Sequence, residues 1–186
     1  MKGPFTVCVF CGARPGFRAA DALAAQRFGR RLGERGLALV YGGAQVGLMG
    51  TLADAALAAS AKVTGILPRA LSSQEIAHPG LTELVLTEGL HARKAEMGAR
   101  AQAFVALPGG FGTLDELFEA LTWQQLRLHN RPVGLLEVDG YFSRLLSFLD
   151  GAVEAGLLAA EDRARLKTHQ DSDALLDALG APRSQP

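Results

Sequence analysis

Short apolar runs alternate with helix-period segments along almost the whole chain, a pattern that few folds besides a helix-covered parallel sheet accommodate. Phe5–Cys11, Leu37–Tyr41, Lys62–Leu67, Leu81–Thr87, Ala103–Leu107 and Val133–Val138 have the length and near-continuous apolar character of strands buried on both faces. Arg18–Arg35, Leu48–Ser60, His91–Ala101, Leu114–His129, Phe142–Ala155 and Asp173–Leu179 have the spacing of helices. Strands separated by helices pair in parallel through right-handed crossovers, which predicts an α/β, doubly wound, Rossmann-like sheet with helices on both faces. With 186 residues, no internal repeat and no linker, residues 1–180 are expected to form a single nucleotide-binding domain, and 181–186 a disordered tail.

Ligands of such sheets sit beyond the carboxyl ends of the strands. Three glycine-bearing loops fall there: CGARPG after the first strand, YGGAQVGLMG after the second, and LPGGFGTLDE after Ala103–Leu107. The first does not fit the GxGxxG dinucleotide fingerprint, and the second strand ends without the acid that would hold a ribose. No GxxxxGK followed by Ser or Thr occurs, so neither nicotinamide nor P-loop ATP chemistry is expected. In the third loop Gly109, Gly110 and Gly112 let backbone approach a ligand closely, and Thr113 stands at the start of a helix beginning at Leu114. Free N–H groups and the positive end of the helix dipole suit a phosphate there. Thr113 followed by Glu116 also fits a capping box, and this helix alone does not choose between the two roles. HARKAEM places Arg93 and Lys94 in the first turn of another helix, where cations oppose the dipole unless an anion is bound nearby. Glu75, in LSSQEIAHPG, reads by itself as a solvent-facing loop residue.

Charge and cysteine usage narrow the partners. Lys plus Arg and Asp plus Glu balance at 19 each, so no global field draws nucleic acid or an anionic membrane, and an anion site has to be built locally. The opening MKGPFTVCVF lacks the apolar core of a signal peptide, and no run approaches the ~20 apolar residues of a bilayer span. A soluble cytoplasmic protein is expected. Cys8 and Cys11 form a CxxC, but an extended chain sets such positions on opposite faces with Cα atoms ~10 Å apart, beyond disulfide reach. Buried, reduced thiols are expected. His78, His91, His129 and His169 lack ligand spacing, so no metal is implied, and no cofactor is expected. On the helix Leu114–His129, Leu114, Leu117, Phe118, Leu121 and Leu128 make one apolar stripe, while Trp123 and Leu126 point elsewhere, either to a second intramolecular contact or, the favoured reading, to a subunit interface with Thr122 close by.

The segments LHARKAEM and LPGGFGTLDELFEALTWQQL carry a paired RK and a PGGxGTxxE signature, in order. On these, and on VCVFCGARPG, LVYGGAQVGLMG and VGLLEVDGYFSRLLSFLDGAVEAGLL, the chain resembles the Lonely Guy (LOG) family over nearly its whole length. The resemblance implies hydrolysis of the N-glycosidic bond of a purine nucleoside 5′-monophosphate, giving free base and ribose 5-phosphate. It implies a catalytic pair, Arg93 and Glu116, and substrate contacts at Glu75, Lys94, Gly110, Phe111, Gly112, Thr113, Leu114, Asp115 and Thr122. It also implies a homodimer with the site near the subunit interface. Gly109, Gly12 and Gly43 join the candidate binding residues from the glycine loops. The sequence departs from the family's commonest pattern at Ala13, Ala44 and Leu90.

Breaking a ribosyl–purine bond builds positive charge on the sugar, so a carboxylate beside the ring stabilises the transition state. Glu116 suits that task and can orient or deprotonate water; in a first helical turn it would stay ionised. Arg93 can hold ribose hydroxyls, hold phosphate or steady Glu116. A lysine decarboxylase would need a Schiff-base lysine, and of Lys2, Lys62, Lys94 and Lys167 only Lys94 lies near the site. The rival from another class is a non-catalytic nucleotide or molybdenum-cofactor carrier on the same scaffold, which would not need the Arg93–Glu116 pair.

Overall fold

The computed structural model describes residues 3–72 and 77–183. Its strands are β1 (Thr6–Phe10), β2 (Ala38–Tyr41), β3 (Val63–Pro68), β4 (Glu83–Thr87), β5 (Ala103–Ala106), β6 (Val133–Leu136) and β7 (Leu166–His169). They form one seven-stranded sheet in the order β4-β3-β2-β1-β5-β6-β7, every pairing parallel. The helices are α1 (Ala19–Glu34), α2 (Gly47–Ala58), α3 (Arg69–Ser72), α4 (Leu90–Arg100), α5 (Phe111–Gln125), α6 (Ser143–Glu154), α7 (Ala160–Arg165) and α8 (Ser172–Ala178). This is the expected doubly wound, Rossmann-like α/β arrangement.

The period-two alternation of a strand assigns side chains to two cores. Val7 and Val9 of β1 face one side, packed with Phe28 and Leu32 of α1, Leu52 of α2 and Leu175 of α8. Cys8 and Phe10 face the other, with Met97 of α4, Leu117 of α5 and Leu149 of α6. Cys8 and Cys11 are free and buried in opposite cores, as the extended geometry requires. Desolvation raises both thiols well above their ordinary range.

Three expectations are corrected. The helix expected over Leu114–His129 starts earlier, at Phe111, and stops at Gln125. Its end is a Schellman turn: Leu128 N–H donates to Trp123 C=O at 2.9 Å and Arg127 N–H to Gln124 C=O at 3.1 Å. Arg127 takes the left-handed conformation there (φ 60), with no glycine to announce the stop, and Leu128 leaves the apolar stripe to become 69% exposed. Second, α3, α7 and β7 were not anticipated; LKTH in β7 is an edge strand with one buried residue and carries no apolar run. Third, the expected tail is anchored at its beginning. Ala181 is buried, and the carbonyls of Ala181 and Pro182 accept hydrogen bonds from Arg35 at 2.9 and 3.2 Å.

Candidate functional site

Strand order reverses between β1 and β5, and the loops leaving these two strands diverge around a cleft of ≈ 490 Å³. Much of its wall is backbone, supplied by Gly12, Gly109, Gly110 and Gly112. The two loops are tied together, Gly12 N–H donating to Pro108 C=O at 3.0 Å. Gly109 has no alternative residue: a Cβ there would lie 2.0 Å from Thr113 Oγ1 and 2.9 Å from Gly12 N.

Gly110 is the N-cap of α5, and the first intrahelical bond runs from Leu114 N–H to Gly110 C=O at 3.1 Å. The amides of Phe111, Gly112 and Thr113 are those that helix geometry leaves outside the ladder. Thr113 therefore stands inside the first turn, buried against Gly109, and the capping box is overturned: Gly110, without a side chain, is the N-cap, and no side-chain cap bond forms.

Opposite this helix start, α4 presents Arg93. Its Nε donates to Ile66 C=O within β3 (3.1 Å), and its Nη2 pairs with Glu116 Oε1 (3.1 Å). Gly42, in the loop after β2, makes room for it, since a Cβ there would fall 2.3 Å from Nη2. Both partners are largely buried, at 17% and 9% side-chain exposure, so the pair is shielded from solvent. Because α5 begins at Phe111, Glu116 lies in the second turn, away from the dipole end that was expected to keep it ionised. Burial raises its carboxyl above the ordinary range; the Arg93 guanidinium opposes this but does not cancel it.

The cleft thus gathers Gly12, Arg93, Gly109, Gly110, Phe111, Gly112, Thr113 and Glu116. Phe111 is at its mouth and 94% exposed. The remaining candidates lie elsewhere. Lys94 is on the far side of Glu116, 12% exposed, bonded at 3.1 Å to both Asp115 and Glu119. Burial pulls its ammonium down, the hydrogen bonds to Asp115 and Glu119 push it up, and the net shift is upward. Such a lysine is poorly disposed to form a Schiff base. Asp115 is exposed and serves Lys94; Leu114 packs toward the α4–α6 core; Thr122 is exposed beside a groove between α5, α6 and α7. Gly43 (φ 78) packs on the backbone of Gly65 and Ile66 and accepts from His78 N–H at 2.9 Å, a structural role. Glu75 lies outside the described residues. Of the three departures, Ala13 lines the cleft, Ala44 is buried in an isolated bridge to Ala77, and Leu90 is exposed at the start of α4.

The lining side chains that were not anticipated include Arg14, Asp21, Met49 and Tyr141. Tyr141 follows the turn after β6 and donates its hydroxyl to Gly109 C=O at 2.5 Å. The guanidinium of Arg18 lies over its ring at 5.1 Å and is fixed by a two-pronged pair with buried Asp21. GARPG brings Arg14, and the segments LVYGGAQVGLMG and VGLLEVDGYFSRLLSFLDGAVEAGLL contain Met49 and Tyr141, but nothing in them singled these side chains out.

Fold and cleft together define a doubly wound α/β protein whose switch-point cleft joins a glycine-built helix start to a buried guanidinium–carboxylate pair. Residues 49–179 match the family described as "Possible lysine decarboxylase". The chain is 46% identical over 157 residues to a cytokinin riboside 5′-monophosphate phosphoribohydrolase of Oryza sativa subsp. japonica, covering 84% of this chain and 65% of that one, just under two thirds. It is 44% identical over 180 residues to the enzyme of the same name from Rhodococcoides fascians, covering 96% and 91%. The chain belongs to this family, the Lonely Guy (LOG) family. A molybdenum cofactor binding protein from Rippkaea orientalis has the same fold (TM-score 0.72, 97% of each chain) at 22% identity, a likeness of fold alone.

Proposed function

We propose that this protein hydrolyses the N-glycosidic bond of purine nucleoside 5′-monophosphates, AMP or its N6-modified cytokinin forms, releasing the base and ribose 5-phosphate. The observation that carries the reading is the buried Arg93–Glu116 pair, 3.1 Å apart, facing the glycine-built start of α5 across one cleft. The phosphate rests on the amides of residues 109–113, and the ribose leans toward Glu116. As the C1′–N9 bond lengthens, its electron pair leaves with the base and positive charge spreads over the sugar. Glu116 stabilises that charge and accepts a proton from the attacking water, whose oxygen bonds to C1′. The departing base takes up a proton in turn, so the sum is addition of one water. Arg93, with Nε and Nη2 already committed, steadies the carboxylate.

A carrier needs no such pair, and Lys94 is too firmly held as an ammonium for decarboxylase chemistry. A homodimer is part of the proposal, supported by Leu126 and Phe148, 63% and 69% exposed. So is a cytoplasmic location, with which two buried free thiols agree. Among the described residues no helix is long and apolar enough to cross a membrane. The decisive experiment incubates the protein with AMP and with isopentenyladenosine monophosphate. Free base and ribose 5-phosphate in equal amounts are expected; release from neither overturns the reading in favour of a carrier.

A further inference from the structure

The Gly109–Gly110 peptide joins two residues without side chains, the first tightly enclosed and the second open. A trans peptide holds C=O and N–H on opposite sides, so whatever fixes the Gly109 carbonyl also fixes the heading of the Gly110 amide. Neither flanking residue has a Cβ, so the torsion angles that orient this plane have glycine's wide range and are not set by side chains of the loop itself. Rotation by about half a turn would exchange oxygen and N–H and reverse the local dipole beside an anion. One plane further back, Gly12 N–H holds the Pro108 carbonyl at 3.0 Å; at the Gly109 carbonyl the donor is the Tyr141 hydroxyl, at 2.5 Å.

Tyr141 is itself held. Its ring meets Phe142 edge-on (centroids 4.9 Å apart, 89°) and lies under Arg18, whose Nε is bonded to Asp21 Oδ2 at 3.1 Å. Asp21 is 6% exposed, yet its carboxylate lines the same cleft and is neutralised there by Arg18. Residues 18–21 and 141–142, distant in sequence, therefore hold the donor that meets this carbonyl oxygen. We infer that Tyr141 is a positioning residue for the phosphoryl end of the substrate: its hydroxyl locks the Gly109–Gly110 peptide and covers a carbonyl that would otherwise confront the anion. The inference deepens the nucleotide-hydrolase reading above and rests on it.

Tyr141→Phe removes the donor and keeps the ring. The KM for AMP is expected to rise roughly five- to tenfold, the worth of one such hydrogen bond, with kcat within about twofold of wild type. Inhibition by ribose 5-phosphate should weaken by the same factor, while calorimetric affinity for adenosine and inhibition by adenine stay unchanged. Unchanged KM and ribose 5-phosphate inhibition overturn the inference. Equal losses for AMP and adenosine also overturn it, because they indicate a general disturbance of the cleft. A wild type that binds AMP more tightly than adenosine yet releases no base refutes the hydrolase reading only; AMP affinity in Tyr141→Phe then still decides the role of Tyr141. A wild type with no preference for AMP over adenosine overturns both.

Discussion

Burial takes the Glu116 carboxyl above the ordinary range, and Arg93, although paired with it at 3.1 Å, offsets only part of the cost. Because the folded-state pKa is raised, the favourable contribution belongs to the protonated form: present at pH below the unfolded value, lost as pH rises through the folded one. At neutral pH the ionised side chain is therefore held at some expense to stability. Glu116→Gln should reduce kcat by roughly 100-fold or more while AMP still binds, and its melting temperature at pH 7 should not fall below that of wild type. Calorimetry with stopped assays tests both; an unchanged kcat would leave Glu116 a structural residue. In the wild type, kcat/KM should decline with acid through a pKa above the normal glutamate range, as the working carboxylate takes up a proton. The identities of Arg93 and Glu116 were legible because two local signatures carry them. The surroundings of Glu116 were not, since the helix start that removes it from the dipole end depends on Gly110 capping without a side chain. Tyr141 was invisible for another reason: its bond spans 32 residues and ends on a backbone carbonyl, which leaves no mark in a motif.

At the scale of elements, α8 is fastened to α1 by charge as well as by Leu175 and Leu176. Arg35, at the end of α1 and 5% exposed, bonds to Asp177 Oδ1 (2.9 Å) and to the carbonyls of Ala181 and Pro182, while Arg31 holds Asp173 at 2.8 Å. Arg35→Ala should cost about 2–3 kcal/mol through the orphaned carbonyls of Ala181 and Pro182, measurable by urea unfolding. Loss of less than about 0.5 kcal/mol would mean that the apolar contacts of α8 suffice alone. Asp177 is depressed to about 2, by Arg183 first and Arg35 second, and Asp173 is depressed chiefly by Arg31. Depressed carboxylates stabilise above their unfolded pKa and cease to do so as pH falls through the folded one. Acid should therefore loosen wild type from about pH 4 downward, and Arg35→Ala less steeply. Five of the seven strands were legible as apolar runs that burial on both faces can hardly avoid, and β4, an edge strand without a buried residue, was legible from its apolar letters alone. The edge strand β7 and the short helices α3 and α7 have polar sequences that neighbours, rather than propensity, recruit into place.

For the molecule as a whole, formal net charge is +0, so self-association meets little electrostatic opposition near neutrality. Leu126, Leu128 and Phe148 are 63%, 69% and 69% exposed, and a second copy is the proposed cover. Light scattering should give twice the 19.6 kDa chain mass, and Leu126→Glu should shift it toward one chain mass without lowering the stability of the fold. A wild type that is monomeric at high concentration and fully active would dispose of the homodimer. The glycine wall of the cleft has a longer-term consequence. Where atoms that grip a ligand belong to the main chain, codon changes cannot recolour them; they can only obstruct them. On the proposed reading, drift in substrate preference would fall on lining side chains such as Arg14 and Phe111, while the glycine wall is inherited intact.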